Sequence, residues 1–162
     1  MKRGRPSGRP RFAALALLAA SAGLITAGCG GDGDSADADA KAEFIASADQ
    51  ICTEAGNRID AQAEKRQRRY GEDLATGDYV AKLYSEVTIP ELQRMFDQIA
   101  ELTPPPGSEQ QVDEIIDAAN AALSEGEKNP KILAKTAGQG NPFDEVNALE
   151  QEFGFQVCGA AG

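Results

Sequence analysis

The sequence has no histidine and no tryptophan, and it has three cysteines and three tyrosines among 162 residues. Without histidine there is no Ser-His-Asp or Cys-His catalysis and no His-ligated zinc or haem. Without tryptophan, and with so few tyrosines, a stacked sugar-binding platform is disfavoured. No Ser-x-x-Lys motif occurs, which leaves Ser-Lys chemistry unsupported. No segment alternates as a strand, and no internal repeat is evident. The apolar run Phe12–Ile25 falls short of the roughly 20 residues that a membrane-spanning helix needs.

What is present begins with that run. Lys2, Arg3, Arg5, Arg9 and Arg11 precede it, with no acid among them, and the small residues Ala27 and Gly28 follow it. A basic start, a short apolar core and a small-residue cut site form an export signal rather than a fold element. Ile25-Thr26-Ala27-Gly28-Cys29 then resembles the signal of bacterial lipoproteins, with Thr26 where Leu is usual. The resemblance implies cleavage before Cys29 and a diacyl, palmitate-type anchor on it. Two acyl chains meet the condition for stable membrane attachment. The alternative is ordinary secretion, with Cys29 a free thiol. On the lipoprotein reading, residues 1–28 are signal peptide, 29–40 a linker and 41–162 the folded domain. The protein is then extracytoplasmic and lipid-anchored to the cell membrane.

The 134 residues from Cys29 onward suffice for one domain with a core, and fall well short of transporter-type solute-binding lipoproteins. Removing the five basic residues of the signal leaves 11 Lys plus Arg against 26 Asp plus Glu, a side-chain charge of −15. A chain this acidic disfavours nucleic acid as a partner. With Cys29 taken by lipid, Cys52 and Cys158 allow one pairing in a disulfide-permissive compartment. Closing so long a loop stabilises by about 4.7 kcal/mol in the chain-entropy model. The alternative is two free thiols.

Residues 30–40 are small and acidic and read as a flexible tether. Asp32, Asp34 and Glu43 take calcium-loop positions one, three and twelve. Ala36 at position five and Asp37 at the obligatory glycine position six argue against a metal site. Residues 41–70 read as a helix with Phe44, Ala48, Ile51, Cys52, Ala55 and Ile59 on one face. Beyond Ile59 that face turns basic, so the helix is expected to outrun the bundle. Lys65, Arg66, Arg68 and Arg69 form the tip. They offset the helix dipole, or else contact an anionic wall polymer.

Gly71–Gly77 reads as a turn, with Asp78 capping the next helix. Val80, Leu83, Tyr84, Val87, Leu92, Met95, Phe96, Ile99 and Leu102 continue a helical face across Pro90, where a kink is favoured over two abutting helices. Thr88 with Glu91, and Ser108 with Gln111, have capping-box spacing. Pro104-Pro105-Pro106-Gly107 stops the second helix. Val112, Ile115, Ile116, Ala119, Ala122 and Leu123 mark a third helix ending near Gly126. Asn129-Pro130 opens a short helix, and Asn141-Pro142 opens the last, with Phe143, Val146, Leu149 and Phe153 inward. Gly154 is its C′ cap, with Phe155 as the following hydrophobe. The fold class is all-α: a small bundle of four to five helices stapled by one disulfide.

Phe44-x7-Cys52, the proline-rich turn at 103–107 and Phe153-Gly154-Phe155-x-Val157-Cys158-Gly159 resemble small exported or lipid-anchored helical proteins of high-GC Gram-positive bacteria. That resemblance supports the disulfide and the fold and implies no chemistry. Three functions remain. The first is a non-catalytic binding or interaction module contacting an envelope protein or wall polymer, with no cofactor. The second is a carrier with an apolar cavity between helices. The third is a carboxylate-dependent hydrolase. Its acids would include Glu109, Asp113, Glu114 and Asp117, which read more simply as a solvated face.

Overall fold

The computed structural model describes residues 32–70 and 77–160. The export segment, Cys29 and residues 71–76 of the expected turn lie outside the described residues. Helix α1 spans Asp32–Tyr70, α2 Gly77–Leu83, α3 Ile89–Ala100, α4 Glu109–Lys128 and α5 Asp144–Phe153. Tight 3-10 turns occupy Pro130–Ala134 and Cys158–Ala160. Among the described residues there is no strand, and the all-α class holds.

Helix α1 begins at Asp32 rather than Lys41, so most of the stretch read as a tether is helical. Alternation of aspartate with alanine explains it. Alanine is the strongest helix former, and aspartates in the first turns oppose the positive end of the helix dipole. Ser35–Asp39 is nevertheless exposed. Core packing starts at Phe44 and follows the expected stripe through Ala48, Cys52 and Ala55, all buried. Met95, Phe96 and Ile99 of α3, Ala119 and Leu123 of α4, and Val146 and Phe153 of α5 complete the core. The ring centroids of Phe44, Phe153 and Phe155 lie 5.2 to 6.1 Å apart.

Helices α2 and α3 are one helical run interrupted by a π turn at Tyr84–Thr88. Thr88 and Ile89 both keep right-handed helical backbone, and the Ile89 N–H donates to the Tyr84 carbonyl, five residues back. Pro90 is the cause: it has no N–H, and its ring crowds the carbonyl four residues earlier. A wider turn accommodates both defects.

The caps differ from the sequence expectation. Neither Thr88 nor Ser108 makes a side-chain cap bond. Thr88 already has helical dihedrals, and Glu91 is engaged elsewhere. Chain entry to α4 is set by the Ser108 N–H donating to the Pro105 carbonyl, with Gly107 at φ +76. Asp78 sits inside the first turn of α2. Gly126 does not end α4, which runs on to Lys128. It is buried, and a Cβ there would meet Leu133 Cδ1 at 3.0 Å. The glycine lets the Pro130–Ala134 turn close onto the helix. Gly154 is the expected left-handed cap, at φ +112. The Phe155 N–H donates back to the Glu150 carbonyl at 3.0 Å, and Phe155 is buried.

Candidate functional site

The site is built around Asp49, one turn before Cys52 on α1. Its carboxylate accepts the consecutive N–H groups of Gln156, Val157 and Cys158 at 2.9 to 3.2 Å. Three converging backbone donors make a small anion nest, here filled by the protein's own carboxylate. Cys158 is thereby brought to Cys52. The two are disulfide-bonded, with Cα atoms 5.3 Å apart. Gln151 Nε2 donates to the Gly159 carbonyl at 2.8 Å and fixes the far end of the segment.

On α5, Glu150 faces inward between Val146 and Phe153 at helical spacing. It is 2% exposed, and its Oε1 has no hydrogen-bond partner among the described residues. Burial, and secondarily the charge of Asp49, push its carboxyl up to about 7. A buried carboxyl in this state is neutral over part of the physiological range and able to donate a proton.

Glu150 lines a groove of about 600 Å³ between α1, α3, α5 and the segment joining α4 to α5. Its buried lining includes Ala55, Met95, Phe96, Leu133, Val146 and the Cys52–Cys158 bridge, while Asp60 and Lys135 are exposed at the rim. Tyr84 also borders it, and burial raises the phenol above its usual range. One wall depends on two short polar side chains. Asn141 Nδ2 donates to the carbonyls of Leu133 and Lys135 at 3.3 and 2.8 Å, and its Oδ1 accepts from the Phe143 N–H at 3.0 Å. The Asp144 carboxylate accepts the N–H groups of Gly138, Gly140 and Asn141. Asn141-Pro142 therefore organises a loop, and α5 starts at Asp144.

The basic tip is divided rather than free. Arg66 forms an ion pair with Glu86 of the π turn, so α1 stays packed on the second helix at this point instead of outrunning it. Arg68 bonds Glu64 at 3.1 Å on its own helix. Lys65 and Arg69 are exposed, and none of the four borders the groove. Glu109, Asp113, Glu114 and Asp117 are exposed on the outer side of α4, also away from the groove.

A second buried carboxyl, absent from the sequence expectation, lies between α1 and α3. Glu91 accepts from Arg58 Nε and Gln62 Nε2, each at 2.8 Å, and from Arg94 Nη1 at 3.2 Å. The Arg58 hydrogen bond, with help from Gln62 and the nearby Arg charges, holds its carboxyl below the usual range despite burial. Arg58 and Gln62 extend the α1 stripe by one more turn in polar form. That is a readable signal, as is Glu150 in step with Val146 and Phe153.

Comparisons with protein-family models, curated proteins and solved structures found no match.

Proposed function

We propose that this chain is a lipid-anchored extracytoplasmic binding protein that takes a small, mainly apolar molecule in the groove beside Glu150. The observation that carries the reading is the groove itself. Its volume falls within the roughly 300–1,000 Å³ of small-molecule sites, and it combines an apolar lining with a buried carboxyl whose Oε1 has no partner among the described residues. Binding is favoured over hydrolysis by the state of the neighbouring acid. Two-carboxylate hydrolysis needs both groups available to substrate or water, whereas Asp49 is engaged by three backbone donors. The export signal, the Cys29 motif and the resemblance to exported proteins of high-GC Gram-positive bacteria support the location.

Gly56 supplies the test. It borders the groove, and a Cβ there meets nothing within 4 Å. Open space at the Cβ makes Gly56→Trp the variant chosen to fill the groove. Native mass spectrometry of membrane-extracted protein is expected to show a bound small molecule in the wild type and none in Gly56→Trp. The same bare mass for both overturns the binding reading. Separately, Cys29→Ser is expected to move the protein from the membrane fraction to the medium; retention in the membrane fraction overturns the anchor.

A further inference from the structure

Glu150 makes the groove asymmetric. Its Oε1 is buried and has no hydrogen-bond partner among the described residues, so it is an unmet polar atom beside an apolar cavity. Leaving such a group unpaired is costly, and a ligand donor removes the penalty. Three donor classes are conceivable: an acid, an alcohol and an amine. The acid group itself decides among them: its Oε1 has no donor among the described residues, and an ionised carboxylate is best met by a cationic donor. A ligand carboxylate would add another negative charge to the same region. An alcohol would satisfy the acceptor and leave the charge unbalanced. A protonated amine does both jobs: it donates to Oε1 and balances the charge of the carboxylate that ionises on its arrival.

We propose that the groove selects a small primary alkylamine, its ammonium on the Glu150 carboxylate and its alkyl chain between Met95, Leu133 and Val146. This rests on the binding reading above and adds the chemistry of the head group. The hydrophobic part of the affinity comes from the chain, and the selectivity comes from Glu150. Proton linkage follows. A carboxyl that is partly neutral near pH 7 ionises when the ammonium arrives, so binding releases a proton and tightens as pH rises from 6 to 8. The other charged or titratable groups facing Glu150 or the groove are Asp49 and Asp60 from α1, Tyr84 from the π turn and Lys135 from the loop.

The test uses three probes of equal chain length on the full folded chain: octylamine, octanol and octanoate. Binding is followed by backbone amide chemical shifts and by calorimetry in buffers of different ionisation enthalpy. Octylamine is expected to bind at least tenfold more tightly than octanol, with octanoate weakest and the shifts centred on groove residues. Proton release accompanies the amine alone. Glu150→Gln is expected to collapse the amine-to-alcohol ratio to about one. Should that variant fold poorly, the pH series on the wild type still decides, since it expects amine affinity to rise across pH 6 to 8 while the alcohol stays level. Equal binding of amine and alcohol, with shifts in the groove, overturns the amine inference and leaves the binding reading standing. Tightest binding by octanoate does the same. If no probe shifts groove residues, and Gly56→Trp matches the wild type, both readings fall.

Discussion

Glu150 and Glu91 are both buried carboxyls, and their surroundings give them opposite titration behaviour. Glu150 has burial and the Asp49 charge against its ionised form, and its carboxyl rises from 4.5 to about 7. Its neutral form is the one the fold favours. The stability it contributes is fully present below pH 4.5 and is lost as pH climbs through 7. Glu91 is held ionised by Arg58, Gln62 and Arg94, so its contribution is present above 4.5 and lost on acidification. On these two groups alone, stability peaks in mildly acidic solution. Moving a carboxyl's ionisation midpoint by one pH unit takes about 1.4 kcal/mol, which puts the alkaline penalty of Glu150 at roughly 3 kcal/mol. Glu150→Gln is therefore expected to raise stability at pH 8 by as much as that and to leave it nearly unchanged at pH 4.5. Urea denaturation at the two pH values checks it, and an equal effect at both would remove the titration argument. Each carboxyl leaves a trace in the sequence, but its role is not legible there. Both sit at positions of the apolar stripe, where a count of hydrophobes passes over a polar residue. Their roles depend on partners 29 to 33 residues away for Glu91, and on a cavity for Glu150.

Elements are far more legible than their ends. Phe44, Ala48, Cys52 and Ala55 are buried as their spacing requires, and Val112, Ile115, Ala119, Ala122 and Leu123 are too. Periodicity works here because each helix buries one face, and the apolar pattern is the direct imprint of that burial. Caps are settled instead by single hydrogen bonds, and the spacings at Thr88 and Ser108 mislead because those bonds go elsewhere. Gly126 shows the same limit. A glycine near the end of an amphipathic stretch reads as a stop, yet it marks the close approach of Leu133, a contact with no periodic signature. Two glycines in helices thus have opposite expected effects. Gly56→Ala adds a Cβ in open space and should stabilise by about 0.5–1 kcal/mol through helix propensity. Gly126→Ala makes the same propensity gain but places Cβ 3.0 to 3.3 Å from three Leu133 side-chain atoms. Overpacking costs about 1–3 kcal/mol, so the net change should be a loss of about 1 kcal/mol. Thermal melts of the two single variants give the comparison. A gain at Gly126 would mean that Leu133 moves aside freely.

Across the whole molecule, the chain's two halves are joined by fastenings of different kinds at one place. The Phe44, Phe153 and Phe155 rings supply apolar contact. The Cys52–Cys158 bond supplies a covalent link across a sequence separation of 106. Asp49 supplies an acceptor for the backbone of 156–158. The bond is readable on the lipoprotein reading of Cys29, which leaves two cysteines and one pairing. Asp49 is not, since a side chain that bonds backbone more than 100 residues away looks like any solvated acid on a helix. The fastenings act at different stages. Losing the bond by Cys158→Ser releases loop entropy to the unfolded chain and is expected to cost about 2–5 kcal/mol. Losing the acceptor by Asp49→Ala leaves the chain linked but its last residues unheld, so the effect falls on local opening rather than on global unfolding. Hydrogen bonds to a charged acceptor contribute about 1.5–3 kcal/mol. Opening of the 156–158 segment should then become at least tenfold more frequent. Because Cys158 lies in that segment, a thiol reductant should cleave the bridge at least tenfold faster in Asp49→Ala under native conditions. Alkylation and mass spectrometry at timed intervals would follow the reaction. An unchanged rate would show that the bridge opens without release of the nest.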